Sequence, residues 1–453
     1  MTAVAPSIVP ELGPPPKARK PRVVTRTLDS GLRVVVVRQP GVPLVELRLR
    51  IPFAARGRSL DAFAARAAVL SDALLAGTAE HSQVEIAELL QRIGGDLSAS
   101  SDADRLQLNG STLATGLPSL LGLVAELLTG AAYPARPVGV ERDRLVERIS
   151  LARAQPSVLA REALLRRLYG AHPYGQVIPD EEAVAQVTQA QLRTLHQQRV
   201  LPSGSVLVLV GDLSPARALD LAEKVLSSWS ATGATAQVPL LPEPVPGPTL
   251  LVNRPGSVQS AIRLGLPALR RDDPKYPAYQ LANMVFGGYF SSRLTENIRE
   301  DKGYTYTPQS RIDHAPAGST LLVQADVATE VSAPALHEIN YELGKIATTE
   351  VTEDELESVR QYAIGTLALS IATQSGLAST LSALEGVGLG IDWLIGHPQA
   401  LAKVTRDQVN AAGRHFAPAN AVTVVLGEAG EMADAVGRLG PVEIQPAEDK
   451  KDL

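Results

Sequence analysis

Cysteine is absent from this sequence, so disulfide bonds, thiolate catalysis and cysteine-ligated zinc are all excluded. The net charge is −5 and no long basic block is present, which argues against nucleic acid or an anionic membrane as the main partner. No apolar run reaches the roughly 18 to 20 residues that cross a bilayer, and the proline-rich N-terminus lacks the apolar stretch of a signal peptide. We therefore expect a soluble cytoplasmic protein without a membrane span, or a periplasmic one if a signal peptide has been removed.

Several motifs of common enzyme classes are also missing. The sequence contains no Gly-x-Ser-x-Gly elbow, no phosphate-binding Walker loop and no dinucleotide-binding glycine motif. Its seven histidines are scattered along the chain. His81 and Glu85 have helical i,i+4 spacing, but a pair of surface ligands of this kind is usually incidental. These residues give no prediction of a metal site.

A cluster of five prolines between Pro239 and Pro248 divides the sequence. Such a composition favours extended polyproline geometry at about 3.1 Å per residue, so we predict a semi-rigid spacer of roughly 30 Å. A chain of 453 residues, 45% of them hydrophobic, is long enough for two or three globular domains. The prolines thus mark the linker between two of them.

The pattern before the linker is repeated after it. Val187 to Gln191 and Val404 to Gln408 each contain a Thr and a Gln at capping-box spacing, and each precedes a helix and then a buried strand ending at glycine. The two copies are 216 to 217 residues apart. A repeat of that length indicates a domain duplication.

The order of helical and strand patterns predicts an α+β fold, with helices over mostly antiparallel sheets. We expect one helix over Leu60 to Ala76 and a helical pattern running on from Arg142 to Leu168. The expected organisation is a disordered leader (1–26), an N-terminal domain (27–236), the linker (237–249), a C-terminal domain (250–440) and a charged tail (441–453).

The most informative stretch runs from Phe286 to Thr307. A glycine pair ends one helix there, and Ser291 or Ser292 can cap a second helix over Arg293 to Asp301. Gly303 suits a left-handed C-terminal cap, and Tyr304 to Thr307 are strand-like. This turn places Arg299 near Tyr306, where a guanidinium fork and a phenol can hold a carboxylate or a backbone carbonyl.

The run Ser292-Arg293-Leu294, Ile298-Arg299-Glu300 and Lys302-Gly303-Tyr304, with Tyr306, resembles the C-terminal motif of pitrilysin-like zinc metallopeptidases. These inverted-motif enzymes include insulinases and mitochondrial processing peptidases. Asp29-Ser30-Gly31-Leu32 and Gly77-Thr78 extend the resemblance through the first half. It implies two homologous domains in a clam-shell arrangement, with Arg299 and Tyr306 gripping the substrate backbone. The other interpretation is that Arg299 pairs with Glu296 or Glu300 on a solvated helix and Tyr306 is an ordinary strand aromatic.

The zinc ligands of that family are absent. Its His-x-x-Glu-His motif should fall at Ala68, Ser71 and Asp72, and its third ligand at Arg148, with Glu147 one residue away. One carboxylate cannot replace two imidazoles and a glutamate, since a hydrolytic zinc needs about three protein ligands and a base. We therefore expect no cofactor in this chain and no activity from it alone.

The resemblance implies a division of labour between two chains. We expect a non-catalytic subunit that binds the peptide substrate through Arg299 and Tyr306, while a homologous partner with His-x-x-Glu-His supplies the zinc. Two alternatives stay open. The chain is either an inert scaffold subunit with a vestigial Arg/Tyr pair, or a homodimeric peptide-binding module.

Overall fold

The computed structural model describes residues 21–55, 60–176, 178–230 and 232–446. Most of the predicted leader, and the tail beyond 446, lie outside the described residues. Two six-stranded sheets, with the strand orders β1-β2-β6-β3-β5-β4 and β12-β7-β11-β8-β10-β9, are covered by helices. The α+β prediction with two homologous domains is thus confirmed.

The strands are short and mostly antiparallel. Their bounds are β1 (Arg22–Thr27), β2 (Arg33–Arg38), β3 (Leu44–Pro52), β4 (Asp96–Ser101), β5 (Arg105–Leu113), β6 (Val206–Gly211), β7 (Thr249–Asn253), β8 (Gln259–Ala268), β9 (Gln309–Ala315), β10 (Gly318–Ala328), β11 (Val422–Gly427) and β12 (Val442–Gln445). The helices of the first half are α1 (Leu60–Ala73), α2 (Gln83–Arg92), α3 (Leu117–Gly130), α4 (Ala135–Arg153), α5 (Pro156–Tyr169), α6 (Glu181–Ala185), α7 (Gln189–Arg199) and α8 (Pro215–Leu226). Those of the second half are α9 (Tyr276–Asn283), α10 (Arg293–Thr295), α11 (Ser332–Thr348), α12 (Glu353–Ser370), α13 (Gln374–Gly386), α14 (Ile391–Ala402), α15 (Arg406–Gly413) and α16 (Ala429–Gly437).

The duplication extends to individual side chains. Arg48 on β3 and Arg263 on β8 are both buried, and the Nη1 of each donates to the carbonyl of the preceding residue at 2.9 Å. The same nitrogen lies 3.3 Å from a carbonyl of the neighbouring strand, that of Gly110 or of Ala325. The outermost strands differ, because β1 runs antiparallel to β2 whereas β12 runs parallel to β7. The two sheets therefore share one pattern and differ at one edge, formed by β1 in the first and by β12 in the second.

The two halves exchange one helix each. Helix α5 packs on β8 and β11 of the second sheet, and α13 packs on β3 and β6 of the first. The contact is close, since a Cβ at Gly265 would lie 2.5 Å from Leu168 of α5. Each half thus covers an apolar sheet face of the other. The domain bounds given by the sequence remain a prediction.

No single helix in the described ranges has the length and apolar content of a membrane span. Helices α12 and α13 meet that criterion only as a pair, which is bent by 108°.

The proline-rich segment is docked onto the body of the protein. The Nε2 of His172 donates to the carbonyl of Pro239 at 2.9 Å, and the amide of Leu241 donates to the carbonyl of Ala317 at 3.0 Å. Near its end, Arg167 of α5 donates to the carbonyl of Pro248 at 3.0 Å. The segment predicted as a semi-rigid spacer is therefore held in place by side chains and backbone of both halves.

Three further predictions from the sequence need correction. Residues Arg22–Thr27, most of which were assigned to the leader, form β1 because they pair with β2. Residues Val442–Gln445, which were assigned to the tail, form β12 because they pair with β7. The helical pattern from Arg142 to Leu168 is broken between α4 and α5, where Pro156 cannot donate a helical hydrogen bond and begins a new helix instead.

Candidate functional site

The Phe286–Thr307 segment folds largely as its turn residues predict. Ser292 caps α10 by accepting a hydrogen bond from the Thr295 amide, and Gly303 has φ +65°. The helix continues as a π-helical turn over Glu296–Asp301, a widened geometry that is frequent at functional sites. Residues 304–307 are not a strand, because the Thr305 hydroxyl donates to the carbonyl of Asp326 at 2.7 Å and holds a turn against β10.

The helical turn after Ser292 is fixed to α12 by one arginine, whose side chain is 9% exposed. Arg293 donates to both carboxylate oxygens of Glu355, at 2.7 and 2.9 Å, and to the carbonyl of Glu350 at 3.1 Å. Burial by itself would raise the pKa of Glu355, but the hydrogen bonds from Arg293 and Thr352 outweigh it and the pKa is lowered. A bidentate charged pair of this kind restricts the position of the whole segment.

Arg299 and Tyr306 lie together, as predicted. The guanidinium carbon of Arg299 is 4.9 Å from the centre of the Tyr306 ring and 4.7 Å from that of Phe290, so it contacts two aromatic rings. Its Nε is 3.1 Å from the Glu300 carboxylate, so the ion pair of the other interpretation is present as well. Phe290 is 63% exposed and Tyr306 78%, so both rings face solvent. Sequence reasoning missed Phe290; the available signal was an aromatic residue directly after the glycine pair.

The four positions of the lost zinc site lie close to one another between α1 and α4. Arg148 forms an ion pair with Asp72, whereas Glu147 is exposed. The Ser71 hydroxyl donates to the carbonyl of Ala68 at 2.9 Å. Burial raises the pKa of Asp72, and Arg148 opposes that shift. Position 148 thus contacts position 72, as a third ligand would, but the residues there do not fit a zinc ion, because the single carboxylate is already bound by a guanidinium.

One other group of three possible metal ligands occurs in the part of the chain that the structure describes, namely Glu80, His81 and Glu126. The Nδ1 of His81 lies 3.0 Å from both oxygens of Glu126, which also accepts from the Thr78 hydroxyl. The hydrogen bond with Glu126 raises the pKa of His81, whereas a metal requires the neutral imidazole. Glu85, which has i,i+4 spacing from His81, forms a capping box with Ser82. We interpret the group as an ion pair that closes the turn before α2.

A small apolar groove of about 70 Å³ runs beside the lost zinc site. Its lining includes Phe63 and Ala68 of α1 together with Ser101, the last residue of β4. In the sheet order β4 is an edge strand, so one side of its backbone has no partner strand among the described residues. An extended peptide can pair with such an edge while its side chains enter the groove.

The proteins similar to this chain in sequence include zinc proteases and inactive relatives of such enzymes. A family model described as the inactive domain of M16 peptidases matches residues 186–362. An uncharacterized zinc protease of Mycobacterium tuberculosis is 27% identical over 411 residues, covering 89% of this chain and 93% of that protein. A probable inactive metalloprotease of Bacillus subtilis is 23% identical over 302 residues, covering 65% and 70%.

Solved structures show the same architecture. The structure of an M16 peptidase inactive domain from Pseudomonas fluorescens has a TM-score of 0.81 at 25% identity, and it covers 89% of this chain and 98% of that one. A Helicobacter pylori protease has the same TM-score at 19% identity, with 90% and 100% covered.

Proposed function

We propose that the chain is a non-catalytic member of the pitrilysin-like (M16) peptidase family and the substrate-binding subunit of a two-chain zinc peptidase. One observation carries the proposal. The zinc positions have been replaced by the Asp72–Arg148 ion pair, while Arg299 and Tyr306 remain together and the Tyr306 ring faces solvent. A chain that had lost all function would not need an arginine held against two exposed aromatic rings.

The proposed task of this chain is to position the peptide. The in-plane N–H groups of Arg299 and the hydroxyl of Tyr306 are donors suited to backbone carbonyls of an extended peptide. The free edge of β4 offers main-chain hydrogen bonds of the kind used in strand addition. Holding a peptide in near-attack geometry supplies several kcal/mol of the barrier, up to about 7 to 11 in ideal cases.

The zinc belongs to the proposed partner, a homologous chain with His-x-x-Glu-His. There the metal would activate a water molecule for attack on the peptide bond. In this chain Ala68, Ser71, Asp72 and Arg148 would take no part in the chemistry. The division leaves binding and orientation to one subunit and hydrolysis to the other.

The test is to purify the chain together with the His-x-x-Glu-His homologue of the same genome and to measure cleavage of fluorescence-quenched peptides. Arg299→Lys keeps the charge but loses the planar fork, and Tyr306→Phe removes one hydroxyl. By analogy with the loss of an oxyanion donor, each change should lower turnover by about 10²- to 10³-fold. Arg311→Lys, at an exposed arginine of β9 that pairs with Asp313, is the matched control and should change little.

Three outcomes would contradict the proposal. Full activity of both variants would favour the scaffold alternative, in which the pair is vestigial. Peptide binding by the purified chain as a homodimer, with no association with the homologue, would favour the peptide-binding module. Cleavage by the chain alone would refute a non-catalytic role.

A further inference from the structure

Phe290 is an exposed aromatic residue held in a defined position. The preceding residue, Tyr289, packs on Tyr362 of α12 with ring centres 4.6 Å apart, and its carbonyl accepts from the amide of the buried Ser292 at 3.1 Å. Phe290 itself contacts Arg299 and is 63% exposed. An anchored turn thus presents a phenyl ring to solvent beside the proposed substrate grip.

The position of the ring restricts what Arg299 can do. A guanidinium is planar and stacks on aromatic faces, while its donors point outward in the plane. Because the rings of Phe290 and Tyr306 both contact the guanidinium, a ligand reaches the N–H groups of Arg299 along the guanidinium plane. Phe290 therefore orients the fork as well as shielding it, which agrees with the 25% exposure of the Arg299 side chain.

We propose that Phe290 is a third substrate-contacting residue, which orients Arg299 and accepts a bulky apolar side chain next to the peptide carbonyl that Arg299 holds. This inference rests on the proposed function and names its substrate class, namely extended peptides with an aromatic or large aliphatic residue at that position. Aromatic pairs pack favourably offset or edge to face, so the exposed face of Phe290 suits such a side chain. A basic side chain there is disfavoured by the charge of Arg299.

The experiment uses the complex with the zinc-bearing homologue and fluorescence-quenched nonapeptides. In each set one position near the scissile bond is occupied by Phe, Ala or Lys, and three adjacent positions are scanned. At one position the parent should cleave the Phe peptide about 10-fold faster in kcat/KM than the Ala peptide, as expected for one aromatic contact, and the Lys peptide most slowly.

Phe290→Ala should abolish the preference for Phe at that position and also lower kcat on the Ala peptide, because Arg299 is no longer oriented. Phe290→Trp should restore both properties, since a Trp ring stacks on a guanidinium at least as well. The matched control is Tyr341→Ala, which removes an exposed ring that lies 5.7 Å from the Lys345 ammonium on α11. It should leave the Phe/Ala ratio unchanged.

The outcomes separate the two levels of the proposal. If the parent cleaves peptides without a preference at any scanned position, or if Phe290→Ala keeps the preference, the role of Phe290 is refuted while the proposed function stands. If Phe290→Trp fails to restore kcat although it melts like the parent, the orienting role is refuted. If the parent complex cleaves none of the peptides, the proposed function is refuted as well.

Discussion

Removing the carboxylate of Asp104 should destabilise the whole chain. Its side chain is 4% exposed and accepts from Nη2 of Arg50 at 2.6 Å and from the Tyr174 hydroxyl at 2.5 Å. Burial lowers the pKa of the Arg50 guanidinium, and the charge of Asp104 opposes that shift. In Asp104→Ala the guanidinium stays buried without its main counter-charge. Breaking a buried pair in this way costs about 3 to 5 kcal/mol in free energy of unfolding.

The loss should appear in both halves of the protein. A Cβ at Gly386 would lie 2.7 Å from Nε of Arg50, so Arg50 lies directly under α13, which comes from the second half. Trp229 reports on the first half and Trp393, on α14, on the second. Urea unfolding of the two single-tryptophan variants should therefore show one shared midpoint, which falls in both when Asp104 is replaced.

Two further variants complete the test. Asp143→Ala removes a carboxylate that is 72% exposed and paired with Arg142, and it should cost less than about 0.5 kcal/mol. Arg50→Met combined with Asp104→Leu removes both charges and should recover most of the lost stability. A loss below about 1 kcal/mol in Asp104→Ala, or a shift at only one tryptophan, would refute the reasoning from a shared, buried ion pair.

Two other predictions follow from the docked linker and the buried histidines. Replacing the five prolines from Pro239 to Pro248 with Gly and Ser should reduce the free energy of unfolding by about 0.4 to 1 kcal/mol for each proline, and so lower the melting temperature. It should also weaken peptide binding. An unchanged melting curve would contradict this prediction. Burial, with a smaller contribution from Arg271, lowers the pKa of His314 to about 3 and that of His397 to about 4. Both pKa values are depressed relative to about 6.5 in the unfolded chain, so the stability they contribute is present above that pH and is lost as the pH falls towards the folded values. Melting temperatures between pH 7 and 4 should show this decline, and His314→Asn should flatten it; a variant as acid-sensitive as the parent would contradict it.

Local signals in the sequence were reliable where the structure depends on neighbouring residues. The capping boxes at Thr188 and Thr405 are both present, and their spacing revealed the duplication. Arg299 and Tyr306 are separated by one helical turn and by the turn at Gly303, so their proximity followed from local geometry. Where the prediction failed at Thr305, strand-forming composition was outweighed by a side-chain hydrogen bond to a distant strand.

Long-range packing was not predictable in the same way. The apolar face of a helix shows that it covers a sheet, but it does not show which sheet, so the exchange of α5 and α13 between the halves left no signal. The contact of Phe290 with Arg299 likewise depends on how the turn after Gly288 is anchored on α12. Contacts between elements that are distant in the sequence can be identified only from the structure.

The ion pair at the lost zinc positions bears on whether this chain ever holds a metal. A partly buried carboxylate left without its cation would be costly, because desolvation opposes its charge, as the raised pKa of Asp72 shows. Arg148 supplies a permanent positive charge at the position that contacts Asp72, so the local charge is balanced without a metal. A cation entering there would have to displace a guanidinium and would find no imidazole. Assembly with a zinc-bearing partner would therefore add an active site to the complex without creating one in this chain.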